Sequence, residues 1–430
     1  MRVDLAFGKC GLKVELPSGY DYRLLEAKSA APLQDETAAL KAALESPIGC
    51  EPLREMAAGK KTAAISVCDI TRPAPNRKTL PVVLEVLHDA GIPREGITIC
   101  IATGLHRIAT AAELDEILGA DIAANYRVYN HDAKILADHV PLGKTASGIP
   151  IFIAEPFVTA DLRITLGFIE PHLMLGYSGG RKLVAPGLAA QETIKAIHSP
   201  RFMRNVLSVE GSIEANPLHK ELQEIARIAG QNFMLDVALT RKREIAAVFA
   251  GHPEQAHAAG VAFVSEVMLE ELDSPVDAVL TTCAGYPLDL TLYQAVKGVT
   301  AASHIVREGG RILICAECTE GAGAPEFERM IKAFTSPQAF LDAVQHAPVE
   351  VDQWQLEKLA LVLSTKQVLF LTPGVPQEFH ASMWGPVFTD FDAAMRALVD
   401  GLPDDAKIAV IPEGPYVLAR VAKPSPAIAG

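Results

Sequence analysis

The sequence predicts an α/β chain of two domains with largely parallel sheets and an interdomain active-site cleft. Three observations carry this. Apolar runs without alternation, TAAISVCDI (62–70) and ITICIATG (97–104), read as strands buried on both faces. Between them RKTLPVVLEVLHDAG (77–91) has helical period and ends at a glycine, which completes a βαβ unit. The alternation then breaks at Asp273-Ser274-Pro275 and restarts, so a boundary is expected near residue 275. Residues 1–274, completed by 405–430, are expected to form one domain, and 275–404 a second.

The elements follow in order. MRVDLAFGKCGLKVELP alternates around Gly8-Lys9 and reads as a hairpin; Asp4 and Lys9 break its apolar run, so it is not a signal peptide. Thr110 and Glu113 form a capping box that opens a helix. Shorter strands are expected near 127–130, 149–154 and 161–168. A helix over 190–198 stops before Pro200, and Asn216-Pro217 opens another by the N-cap and first-turn proline rule. FMLDVALT (233–240) and REIAAVFAG (243–251) form a strand pair, and 253–272 a long helix. VDAVLTTCAG (276–285), a helix near 290–307 and GGRILICAEC (309–318) restart the βα alternation, and AKIAVIPEGPYVLARV (406–421) is strand-like.

At 430 residues and 49% hydrophobic, the chain can bury two cores. The net charge of −13 and the absence of a Lys/Arg run exclude a nucleic-acid face. No apolar run reaches the roughly 18 residues of a membrane span. The 7 scattered cysteines fit a reducing cytoplasm, where the chain is expected to reside. CAEC (315–318) ends a strand instead of opening a helix, which reads as buried thiols.

Several loops could carry chemistry. CDITRPAPN (68–76) follows the first strand, where open α/β sheets bind ligands. Asp69 and Arg72 there either pair in a stiff turn or meet a ligand. His106, in IATGLHR (101–107), ends the neighbouring strand and is either a proton carrier or satisfied by backbone. GYSGGRK (176–182) is either a plain turn or a nest of backbone N–H groups for an anion, with Lys182 beside it. It matches neither the Walker pattern nor G-x-G-x-x-G. His198 ends QETIKAIHS, as a cation at a helix C-terminus or as a lone metal ligand. In YPLDLTLYQAVKG (286–298), Tyr293 and Lys297 share a helix face with Gln294 beside them.

In this order and at this spacing, CDITRPAPN, ATGLHR, PHLMLGYSGGRKLVAPGLAAQETIKAIHS, LYQAVKG and DQWQ (352–355) resemble the nickel-pincer lactate racemase family over nearly the whole chain. The resemblance implies an isomerase that racemises or epimerises a 2-hydroxy acid. Its cofactor would be a nickel-pincer nucleotide: a pyridinium mononucleotide whose two sulfur-bearing arms and a ring carbon hold Ni(II). Lys182 matches the anchoring lysine, thioamide-linked in some members, and His198 the fourth nickel ligand. Asp69, Ile70, Thr71 and Arg72 match the cofactor-contacting loop. His106 and His172 match the acid/base pair, and Gln294 and Lys297 the substrate-holding pair. Arg72 would also hold substrate, and Tyr293 and Trp354 resemble further pocket walls.

The implied reaction is hydride transfer to and from the cofactor, with a histidine serving each enantiomer. Efficient proton exchange then asks that neither histidine be locked to a carboxylate. The partners implied are a small anionic hydroxy acid and the enzymes that make the cofactor, with no nucleic acid and no membrane. Two alternatives stay open: the same cofactor acting on a sugar acid or bulkier hydroxy acid, and a nicotinamide-dependent dehydrogenase, against which the missing glycine fingerprint counts.

Overall fold

Parallel strands need crossovers, and the chain supplies a helix or long loop after most of its strands. In the computed structural model, which describes residues 1–26, 28 and 30–422, it divides into two units. The first comprises Ser29–His198 and Val206–Val267; the second comprises Met1–Lys28, Ser199–Asn205 and Met268–Gly430.

The first unit is built on a six-stranded sheet in the order Ile245–Gly251, Phe233–Leu239, Leu162–Phe168, Ala63–Cys68, Ile97–Ala102 and Arg127–Asn130. All pairs are parallel except the antiparallel pair of Phe233–Leu239 with Ile245–Gly251. Every residue of Ala63–Cys68 is buried, as a central strand covered on both faces requires. The helix Asn76–Asp89 lays Leu80, Val83, Leu84 and Leu87 onto this core, the 3.6-residue period read in the sequence. The capping box at Thr110 and Glu113 is present, and Asn216 caps the helix Pro217–Ile228.

The second unit carries another six-stranded sheet, all parallel: Val387–Phe388, Gln367–Leu371, Val306–Cys315, Val276–Thr282, Lys407–Ile411 and Asp21–Leu24. The helix Leu292–Ser303 buries Leu292, Ala295, Val296, Val299 and Ala302 in its core.

The domain boundaries differ from the sequence expectation. Lys407–Ile411 pairs with Val276–Thr282, so 405–422 completes the second unit and not the first; 423–430 lie outside the described residues. The N-terminal hairpin and Asp21–Leu24 also belong to the second unit, because Asp21–Leu24 extends its sheet beside Lys407–Ile411. The helix expected over 253–272 stops at Met268, and Leu269–Leu272 becomes a strand parallel to Leu418–Val421. Long-range pairing there overrides the helix propensity of VMLEEL.

Candidate active site

In the first unit the strands Ala63–Cys68 and Leu162–Phe168 are neighbours, yet the chain leaves them for opposite sides of the sheet. That is a topological switch point, where open α/β sheets bind ligands at the strands' carboxyl ends. The loops emerging there are 69–75 and 169–182.

The first loop is held by buried Asn76, whose side-chain amide donates to the Cys68 carbonyl at 3.1 Å, and by the Arg72 N–H donating to the Asp69 carbonyl at 3.2 Å. Asp69 is 5% exposed. Its Oδ1 accepts from the Thr71 hydroxyl at 2.8 Å, and its Oδ2 lies 2.7 Å from His106 Nδ1. Burial alone would raise the Asp69 pKa; the His106 bond and charge, the Arg72 charge and the Thr71 hydroxyl outweigh it and hold the carboxyl below its usual range. The expectation that neither histidine is tied to a carboxylate therefore fails for His106. Adjacent parallel strands end at the same sheet edge, so the loops after them meet. The dyad still permits proton chemistry: Nδ1–H donates to Asp69, and Nε2 keeps the lone pair of a base. Ile70 is half-buried and packs against the core of this unit.

His106 sits in a loop tied down by Gly104 N–H to Gly187 O at 3.0 Å and by Thr103, whose hydroxyl reaches the His131 carbonyl at 2.6 Å. The second loop forms the short antiparallel pair Pro171–His172 with Gly176–Tyr177. His172 Nδ1 accepts long bonds, 3.4 Å each, from the N–H groups of Met174 and Leu175. That places the proton of a neutral ring on Nε2, the opposite tautomer from His106. Lys182 is half-buried in the 3₁₀ turn Gly180–Leu183.

The glycine turn does bind an anion, but one of the chain's own. The Gly180 N–H donates to Oδ2 of Asp236 at 2.7 Å. A Cβ on Gly179, at φ +83°, would lie 2.2 Å from that same oxygen, and one on Gly176, at φ +78°, would lie 2.0 Å from the Ser212 carbonyl. Of the two readings left open by the sequence, a plain turn or an anion nest, the structure shows the Gly180 N–H committed to a carboxyl of the chain itself. Asp236 is fully buried, and burial pushes its pKa up to about 7, against the Gly180 bond and the Arg181 charge. It was missed in the sequence; the signal was an acid in the middle of the apolar strand FMLDVAL.

His198 follows the helix Gln191–Ile197, and its Nδ1–H donates to the Ile194 carbonyl at 2.7 Å. Desolvation drives its pKa down to about 4, the Lys182 charge adds to this, and the Ile194 bond opposes it. At neutral pH the ring is uncharged, so the alternative of a cation serving the helix dipole is overturned. Burial raises the pKa of the Cys68 thiol, Asp69 and Asp236 add to the rise, and Arg72 and Lys182 oppose it. One electrostatic neighbourhood therefore gathers Asp69, Arg72, Lys182, His106 and His198.

In the second unit, Thr291 caps the helix Leu292–Ser303 by accepting from the Gln294 N–H at 3.3 Å. Tyr293 packs edge-on against Phe327, and its carbonyl accepts from the side chain of Gln355 at 2.8 Å. Gln355 and the buried Trp354 both stand on the helix Gln353–Leu363. The Gln294 Oε1 is buried without a partner among the described residues. The charge of half-buried Lys297 reaches the Cys283 thiol. Cys315 and Cys318 are buried free thiols, as the strand position of CAEC predicts.

Residues 7–210 match the family model "Lactate racemase N-terminal domain", and residues 272–419 match "Lactate racemase C-terminal domain". The chain belongs to the lactate racemase family. Racemases are isomerases, and so is this chain. It is 35% identical over 423 residues to a lactate racemase of Thermoanaerobacterium thermosaccharolyticum, covering 97% of this chain and 99% of that one. A lactate racemase of Lactiplantibacillus plantarum is 35% identical over 389 residues, covering 90% and 91%. The solved lactate racemase apoprotein of T. thermosaccharolyticum superimposes with a TM-score of 0.92, covering 98% of this chain and 100% of that chain at 35% identity. A Thermotoga maritima protein shares the fold at 17% identity and a TM-score of 0.68, covering 92% and 100%. Among the described residues no helix is long and apolar enough to cross a membrane.

Proposed function

We propose that this chain racemises or epimerises a 2-hydroxy acid of the lactate type with the help of a nickel-pincer nucleotide. The observation that carries the reading is the state of His198. A neutral ring whose Nδ1–H is committed to a backbone carbonyl carries its lone pair on Nε2, the form a metal ligand requires. Among the described residues no cluster of three or more His, Cys, Asp or Glu side chains could hold a metal ion. A metal at His198 would take its other ligands from a cofactor, and nickel suits a square-planar set of soft donors. When bound, the cofactor supplies the acceptor and donor of a hydride.

The chain's residues do the rest. Lys182 anchors the cofactor, with Asp69, Ile70, Thr71 and Arg72 as its contacting loop. His106 takes the substrate's hydroxyl proton on Nε2, while Asp69 fixes the ring and offsets the positive charge that develops. His172 serves the opposite enantiomer, whose hydroxyl is presented differently. Arg72 and Lys297 bind the carboxylate, and Gln294 supplies its amide. Tyr293 and Trp354 wall the pocket.

The test is loss of optical rotation from single-enantiomer hydroxy acids, lactate first, using protein produced together with cofactor-making enzymes. Racemisation of at least one is expected. Nickel-loaded protein that racemises none would refute the reading.

A further inference from the structure

A cavity of 270 Å³ in the first unit opens at the start of the helix Pro253–Met268, lined by Arg181, Gln223, Arg227, Gln231, His252 and His257 among others. Arg181 is 4% exposed. Its Nη groups reach the carbonyls of Tyr177 at 3.0 Å, Leu175 at 3.3 Å and Gly179 at 3.4 Å, and the His257 ring at 2.7 Å. Its Nε has no partner among the described residues. Asp236 acts on it through space, and no hydrogen bond joins the two among the described residues. A buried guanidinium without a bonded carboxylate is costly, because desolvation is not offset by a contact ion pair.

The rest of the wall is mixed, with the Glu254 carboxylate and the apolar Ala226 and Pro253 beside polar groups. Arg227 is exposed and shares its charge with Glu254 at 3.0 Å. His252 Nδ1 accepts from the Glu254 N–H at 3.3 Å, and the first turn of a 16-residue helix adds its positive end. Gln231 gives its Nε2–H to the Thr165 hydroxyl at 2.7 Å, and its buried Oε1 has no partner among the described residues. The cavity thus offers an unpaired cationic donor and an unpaired acceptor together.

We propose that this cavity is a binding site for a small oxyanion that also carries an O–H: a short hydroxycarboxylate or inorganic phosphate. An anionic oxygen takes the Arg181 Nε–H and the field of Arg227; the O–H donates to Gln231 Oε1. The site is separate from the loop of Asp69 and His106 but joined to the chemistry by sequence. Arg181 precedes Lys182 and holds three carbonyls of the segment that carries His172, so an anion on Arg181 stiffens that segment. The inference stands whether or not the nickel reading does.

The test is calorimetric titration and thermal unfolding of the full chain with inorganic phosphate, with lactate, and with chloride at matched ionic strength. Saturable binding of phosphate or lactate is expected, with no equivalent effect of chloride; the probe that binds identifies the source of the anion. Arg227→Ala, at an exposed position, weakens binding by roughly tenfold or more, and Arg181→Met abolishes it. Should Arg181→Met fail to fold, Gln231→Leu is read in its place and loses affinity. Absence of saturable binding to either probe, or wild-type affinity in both Arg227→Ala and Gln231→Leu, overturns the site.

Discussion

Asp69→Asn is the most informative change in the loop after Ala63–Cys68. It preserves shape and removes one charge 2.7 Å from His106 Nδ1. With charge centres about 4 Å apart and an effective dielectric near 20, the attraction to a developing imidazolium is about 4 kcal/mol. The His106 side chain is 44% exposed, so solvent screens about half of this, leaving about 2 kcal/mol, or roughly 30-fold in rate. Loss of the enforced tautomer adds to that, since an amide can present either its oxygen or its N–H to the ring. The combined loss in kcat/KM falls at about 10²–10³-fold. Racemisation has an equilibrium constant of unity, so kcat/KM falls by the same factor from either enantiomer. The assay is polarimetry from each pure enantiomer, with nickel content measured on the same samples. A loss below about tenfold at full nickel content would refute the dyad's role.

Other changes test separate links. Lys297→Ala raises KM for the hydroxy acid by roughly 10–100-fold, the worth of a hydrogen bond to a charged group, as read from initial rates. Gly179→Ala forces a side chain into a left-handed position and against Asp236, costing about 1–3 kcal/mol and lowering Tm by several degrees in calorimetry. Arg204→Met strands Glu357, which is 0% exposed and 2.6 Å from the guanidinium, and destabilises by about 3–5 kcal/mol in denaturant melts. Burial raises the Glu357 pKa even with Arg204 lowering it, so the variant's carboxyl protonates more readily still. Its stability deficit therefore grows as pH rises and narrows as pH falls.

Much of this fold was legible because local pattern and tertiary role agree. Ala63–Cys68 and Ile97–Ala102 are apolar throughout since both faces are covered, and Thr110, Asn216 and Pro217 announce their helix starts. What failed was non-local. Nothing in VMLEELDS tells that Leu269–Leu272 will find Leu418–Val421, and nothing in AKIAVI tells which sheet it joins. The hairpin of His139–Lys144 with Pro150–Ala154 was half seen, because Pro141 and Gly143 blunt the strand signal of its first arm. At the site, the residue types were visible and their pairings were not. Asp69 could as well have met Arg72 as His106, and the glycine turn could as well have faced a cofactor as Asp236. Those choices depend on which loops the switch point brings together.

The central claim, that His198 ligates nickel held within a cofactor, is tested most directly by the metal itself. Wild type and His198→Ala are to be purified after production with the cofactor-making enzymes, and nickel and sulfur measured per chain alongside circular dichroism. The account predicts nickel in the wild type and its loss in His198→Ala, with the fold intact in both. Normal nickel content in a folded His198→Ala would contradict it.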